Sequence, residues 1–141
     1  MSSTAAPGLS EARSMCCQEY LGALAFYYQK ECPQTVETAK ANLKWRTLPA
    51  YWHIKNCILV STCTTDIWEG ERYRIAAERV WKNVKEQSSR DHKHEQFMLE
   101  RLRSILDELK ERLERLEDEE DEEESEEESE EGTEDVDEDE D

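Results

Sequence analysis

His53 and Cys57 stand four residues apart, a spacing that puts both on one face of a helix, and Cys63 follows six residues later. With His92 and His94 further along, these five side chains are of the types that bind zinc, which takes four sulfur or nitrogen ligands in a tetrahedron. The chain lacks the close Cys-x2-Cys or His-x3-His pairs that such sites favour. Cys16 and Cys17 are adjacent, which points their side chains apart. Unmetallated cysteine is also among the most buried residue types. The expectation is no metal and no cofactor, with His53, Cys57, Cys63, His92 and His94 as the candidates to check.

Enzymatic chemistry finds no better footing. Only four glycines occur and none cluster, so no loop can cradle a phosphate through its backbone. A cysteine nucleophile would need Cys57 or Cys63 beside His53 or His92 with a third group orienting the base, and the spacing points to no such group. Carboxylate pairs are too abundant in this chain to discriminate anything. The expectation is a protein that is not an enzyme.

Aromatic and basic residues interleave in the middle of the chain: Lys44-Trp45-Arg46, Tyr51-Trp52-His53 with Lys55, Arg72-Tyr73-Arg74, and Trp81-Lys82. Flat rings stack on unpaired bases while Lys and Arg neutralise phosphates, so Trp45, Arg46, Trp52, Lys55, Arg72 and Arg74 outline a face for single-stranded nucleic acid. The competing use is structural, with Trp and Tyr in the core and the long cations snorkelling around them. Residues 35–93 hold 11 bases against 7 acids, a thin excess for a dedicated nucleic-acid binder.

The strongest charge feature lies elsewhere. Residues 117–141 contain 20 of the 36 acidic residues, no Lys or Arg, and one apolar side chain, Val136. Residues 1–116 keep 16 acids against all 18 bases, so the body is about +2 and the tail −20. Such charge density opposes collapse, and a solvated, disordered tail is expected from Glu117 onward. It would attract basic proteins at long range or lie over the chain's own weakly basic middle in competition with nucleic acid. Ser125 and Ser129 sit within the acid run and are candidate phosphorylation sites, each adding about 1.5–2 negative charges. In composition alone, a helical body with an acidic C-terminal tail resembles histone chaperones, chromatin factors and small viral regulatory proteins, and implies no particular site.

Helices must position these groups. The clearest carries Leu99, Leu102, Leu106, Leu109, Leu113 and Leu116, spaced 3, 4, 3, 4, 3, a heptad seam within a helix over 92–116. Met98 and Ile105 flank it. The seam fits two uses: the last helix of a bundle packed on the first, or a parallel homodimer zipper through 99–116. Upstream, Ser10 reads as the N-cap of a first helix reaching about Glu31, stopped by Pro33, with Cys17, Leu21, Leu24 and Tyr28 on one face, widened by Tyr20 and Tyr27. Thr35 reads as the cap of a short helix through Val36, Ala39 and Leu43, ending near Thr47. Tyr51–Thr65 is ambiguous between strand and helix. With no second strand-like run to pair with, helix with an irregular end is expected. Thr65 and Asp66 open a further helix, properly begun after Gly70, that carries Tyr73, Ala77, Val80 and Val84.

The expected architecture is all-α: a flexible N-terminus (1–9), a bundle of four or five helices over 10–116, and a disordered polyacidic tail (117–141). With no leader-like segment at Met1–Gly8, no apolar run near the ~20 residues of a membrane span, and five irregularly spaced cysteines, the expected setting is intracellular, nuclear or cytoplasmic, with no membrane partner. The function expected is that of a regulatory adaptor with two contacts. Its helical body binds a protein partner through the Leu99–Leu116 seam or the aromatic cluster around Trp45, Trp52, Trp68 and Trp81, and its tail binds basic partners. The alternative is a single-stranded nucleic-acid binder whose tail competes intramolecularly.

Overall fold

A computed structural model describes the backbone of residues 9–88 and 92–138 and the side chains of residues 15–88 and 92–123. These residues form five α-helices and no strand: α1 (Leu9–Tyr28), α2 (Cys32–Asn42), α3 (Ala50–Cys63), α4 (Ile67–Gln87) and α5 (Lys93–Glu138). The all-helical bundle read from the apolar spacing is the fold. No helix among the described residues is long and apolar enough to cross a membrane.

The arrangement centres on α3, which touches each of the other four helices. Ile54, Asn56, Cys57, Leu59, Val60, Ser61 and Cys63 are all buried, so α3 hides most of its circumference instead of one stripe. That explains why Tyr51–Thr65 gave no clean periodicity: a helix buried on several sides need not alternate polar and apolar faces. On one side Leu59 and Val60 meet Tyr20 and Ala23 of α1 and Ala39 of α2. On the other, Ile54 and Cys57 meet Ala77 of α4 and Leu102 and Leu106 of α5. Leu43 and Tyr73 pack against both clusters and make them one core.

Several local expectations are corrected. α1 ends at Tyr28, three residues before Glu31, because Lys30 adopts a left-handed conformation (φ 62°). Its N–H then reaches the Tyr27 carbonyl and the Glu31 N–H reaches that of Phe26, the paired bonds of a Schellman turn. Pro33 lies in the first turn of α2, where its missing N–H costs nothing. Thr35 therefore does not cap α2. It is fully buried inside the helix and its hydroxyl donates to the Glu31 carbonyl oxygen. Ser10 falls inside α1 rather than ahead of it, and its side chain is outside the described set. The face of α1 is shifted to one edge of the expected stripe: Cys16, Tyr20 and Ala23 are buried and Leu24 packs against the core, whereas Leu21 is 51% and Tyr28 74% exposed.

α4 starts at Ile67, with the Asp66 carboxylate accepting the Trp68 N–H as N-cap. Gly70 is interior to the helix. A side chain there would lie 3.3 Å from both Leu113 Cδ2 and the Ser61 carbonyl oxygen, so glycine allows α3, α4 and α5 to approach closely.

The Leu seam is confirmed as a buried face and corrected in partner. Leu99, Leu102, Leu106, Leu109 and Leu113 are buried and Leu116 half-buried, against α4 and α3; among the described residues the backbone of α1 does not approach that of α5. The Trp81 indole N–H donates to the Leu99 carbonyl oxygen at 2.7 Å and fixes the start of α5. A polar tie joins the other side of the bundle: Asn42 Nδ2 donates to the Glu19 carbonyl oxygen and to Asn56 Oδ1, and Asn56 Nδ2 donates to the Trp52 carbonyl oxygen. Both asparagines are buried and satisfied, so they link α1, α2 and α3 without an orphaned polar atom.

Leu106→Ala empties a fully buried position and is expected to lower stability by about 2–5 kcal/mol in urea denaturation. Lys30→Gly relieves a left-handed side chain and is expected to raise it by about 0.5–1 kcal/mol.

Candidate functional site

The basic-aromatic positions do not converge on one face. Trp52 is partly buried between two rings, 5.4 Å from Tyr20 and 4.9 Å, edge-on, from Tyr51. Lys55 lies over Tyr20, its Nζ 5.4 Å from the ring centroid. Burial, first, and the neighbouring tyrosines push the Tyr20 hydroxyl up to about 12. Burial also pulls the Lys55 ammonium below its ordinary value, with Arg101 adding to the effect. Trp45 is 40% exposed beside Cys16, Glu19 and Leu48, and Arg46 is exposed after it. Arg72 is exposed on α4 next to Glu69 and Tyr73. Trp68, absent from the expected face, is the most open indole at 69%.

Arg74 is the clearest departure. It is 8% exposed and held by two carboxylates of its own helix, Glu71 and Glu78, the latter at 3.2 Å. Glu78 also receives Arg103 from α5 in a two-pronged contact of 2.7 and 2.5 Å. Arg103 in turn reaches Asp107 at 2.8 Å and lies over the Trp81 ring. The forked guanidinium matches a carboxylate with two parallel bonds, so this network pins α4 to α5 by geometry as well as charge. Glu78 is held below the usual carboxylate range, chiefly by its hydrogen bond from Arg103, and Glu71 similarly by Arg74. The Arg74–Glu78 spacing of four was visible in sequence; Arg103, 25 residues away, was not.

The metal candidates are scattered. His53 is half-buried on α3, where burial lowers its pKa. Cys57 is buried in the core with its thiol pushed up to about 12. Cys63 sits at the other end of α3, raised to about 11 by burial first and by Cys32 beside it. His92 and His94 are exposed at the start of α5, with His92 3.7 Å from Glu95. Among the described residues no three His, Cys, Asp or Glu side chains gather as a metal site would require.

Two surfaces remain available. The first is the outer side of α1, where Leu21 and Tyr28 are exposed, while Cys17 is half-buried and Leu24 packs against the core. The second is a cleft of about 360 Å3 between the α3–α4 turn and the C-terminal end of the Leu seam. Its apolar floor is Ile67, Leu109, Leu113 and Leu116. Past Leu116 the α5 backbone continues without a break, and Glu117–Glu123 are all exposed. The remainder of the region expected to be disordered, with Ser125 and Ser129, has no described side chains. No protein-family model, characterised protein or solved structure matches this chain.

Glu78→Gln removes the shared acceptor of Arg74 and Arg103, and a loss of about 1–2 kcal/mol at neutral pH is expected in urea denaturation. The folded values of Glu69, Glu71 and Glu78 are all depressed, so their stabilisation is complete above the ordinary value of 4.5. It is lost as pH falls through the folded values. Stability measured from neutral pH downward should therefore drop below that value, and drop less steeply in Glu78→Gln.

Proposed function

We propose that the chain is a non-enzymatic regulatory adaptor whose helical body docks a protein partner and whose acidic tail gathers basic ones. The observation that carries this reading is the partition of charge between a body of about +2 and a tail of −20. Within the body, Lys40, Arg74 and Arg103 are engaged by Glu69, Glu71, Glu78 and Asp107. No ion pair with a described residue compensates Glu117–Glu123. A polyanion of this kind raises the encounter rate with basic surfaces and loses its hold as salt rises.

The body's contribution is the α1 stripe. Leu21, Tyr27 and Tyr28 are exposed at helical spacing, beside Leu24, which packs against the core. Contiguous apolar surface rimmed by polar residues is the usual mark of a protein-docking face. The Leu seam is not free for this purpose, since a zipper through 99–116 would have to lift α5 from α3 and α4. Phosphorylation at Ser125 and Ser129 would strengthen the tail's attraction by degrees, in a nuclear or cytoplasmic setting. The nucleic-acid alternative is less favoured because Arg74 and Trp52, two of its six residues, are occupied within the fold.

Removing 117–141 is expected to weaken binding to poly-lysine by roughly tenfold or more at low salt, with the difference vanishing as salt rises. Binding is read by fluorescence titration, and circular dichroism checks that the body stays helical. An unchanged affinity would remove the tail's proposed role. A gain in affinity for single-stranded oligonucleotides on truncation would favour the competing-tail reading instead.

A further inference from the structure

The cleft at the end of the Leu seam lies where the body meets the acid run, and it combines two chemistries. Ile67, at the start of α4, and Leu109, Leu113 and Leu116 on α5 form its floor. Four carboxylates, Asp66, Glu119, Glu120 and Glu123, stand around that floor, against one cation, Arg112. Glu119, Glu120 and Glu123 have no counter-ion among the described residues, so the rim carries uncompensated negative charge beside apolar surface. A purely ionic site needs no such floor, and a purely apolar partner would leave the carboxylates beside buried hydrocarbon without gain.

We infer that this cleft is a docking groove for a cationic amphipathic segment of a partner protein, one that presents apolar side chains on one face and Lys or Arg along its edges. The inference rests on the adaptor reading and deepens it by naming the tail's partner chemistry. The apolar face seats on Ile67, Leu113 and Leu116, and the flanking cations meet Asp66, Glu119, Glu120 and Glu123. Arg112 stands alone against these four acids, which leaves the groove's preference cationic. A second copy of this chain is a poor occupant, because two chains each of net charge −18 repel.

The acidic run continues directly from the groove along α5. A basic segment attracted anywhere on 117–141 is thereby held near the groove at raised effective concentration, and the apolar contact then selects amphipathic segments from merely basic ones. Attraction and selection are divided between two adjoining parts of one helix.

The test uses the full-length protein, isotopically labelled, and two synthetic peptides of about four helical turns and equal positive charge. One carries Leu at i, i+3, i+4 and i+7 among Lys; the other has Ser in place of each Leu. The Leu peptide is expected to bind roughly tenfold tighter or more, the effect of burying about one Leu side chain. It should shift the amide resonances of residues 61–67 and 109–123. Thr65→Arg with Glu120→Lys, both at exposed positions, fills and reverses the groove and is expected to abolish the preference for the Leu peptide. If that pair disturbs folding, Glu119→Lys with Glu123→Lys removes rim charge without touching the floor and should narrow the preference.

Equal affinities with shifts confined to residues 124–141 would overturn the groove and leave the tail reading standing. A Leu-peptide preference whose shifts map to the α1 stripe would also overturn it. Failure of both peptides to bind at low salt would sink the groove and the tail reading together. The same shifts produced by raising protein concentration alone, with a dimer in light scattering, would assign the groove to a second copy and overturn the inference.

Discussion

Burial of α3 on several sides at once is the constraint from which the rest of the fold follows. A helix of 14 residues that hides Ile54, Cys57, Leu59, Val60 and Cys63 cannot satisfy itself against a single neighbour. α1 and α2 must close one side and α4 and α5 the other, and Leu43 and Tyr73 join the two halves into one core. The polar residues admitted to this interior are those that find partners. Asn56 bonds Asn42 and the Trp52 carbonyl, and the Ser61 hydroxyl donates to the Gly70 carbonyl oxygen at 2.7 Å. Each bond joins α3 to a neighbour or fixes a side chain that does, so specificity of packing accompanies the apolar burial that stabilises it.

Electrostatics divides the molecule differently from packing. In the body, several cations are matched to carboxylates that also tie elements together: Lys40 of α2 to Glu69 of α4, and Arg103 of α5 to Glu78 of α4. These contacts leave less free positive surface than the count of Lys and Arg suggests. Beyond Leu116 the same helix carries no Lys or Arg and is mostly acid. α5 is consequently two objects on one backbone, an apolar wedge that completes the core and an anionic extension whose described residues, Glu117–Glu123, are all exposed. Acids at the C-terminal end of a helix also oppose its dipole, so this extension gains no intrinsic support from its charge. The groove at the junction is where these two kinds of surface lie side by side.

The seam of leucines and the acid run were legible from residue spacing alone, because each repeats one chemical type over many turns. Heptad spacing specifies a buried face and is silent on whether another chain or the same chain buries it; here α3 and α4 cover the seam. On α1, apolar residues lie on more than one face, and Cys17, Leu21, Leu24 and Tyr28 satisfied the helical period as well as Cys16, Tyr20 and Ala23 did. Only the positions of α2 and α3 select between them. Thr35 and Pro33 misled for a related reason, since a capping residue type and a helix-breaking type each have an interior or first-turn use that depends on where the preceding helix ends. Lys30 in a left-handed conformation ended it earlier than Pro33 implied.

By itself, the sequence determined the helical class, the seam, the split of charge at Leu116 and the absence of any phosphate-loop or paired-ligand pattern, all carried by local composition and period. The tertiary structure alone decided which side of α1 faces inward, that Arg74 is paired with Glu71 and Glu78 and Trp52 packed on Tyr20 and Tyr51, that α5 packs on α3 and α4, and that Ile67 and Leu116 lie beside acidic residues. Those outcomes depend on contacts between residues distant in the chain. Glu78 meets Arg103 across 25 positions and Asn42 meets Asn56 across 14, and no local period encodes which of several compatible partners a side chain will find.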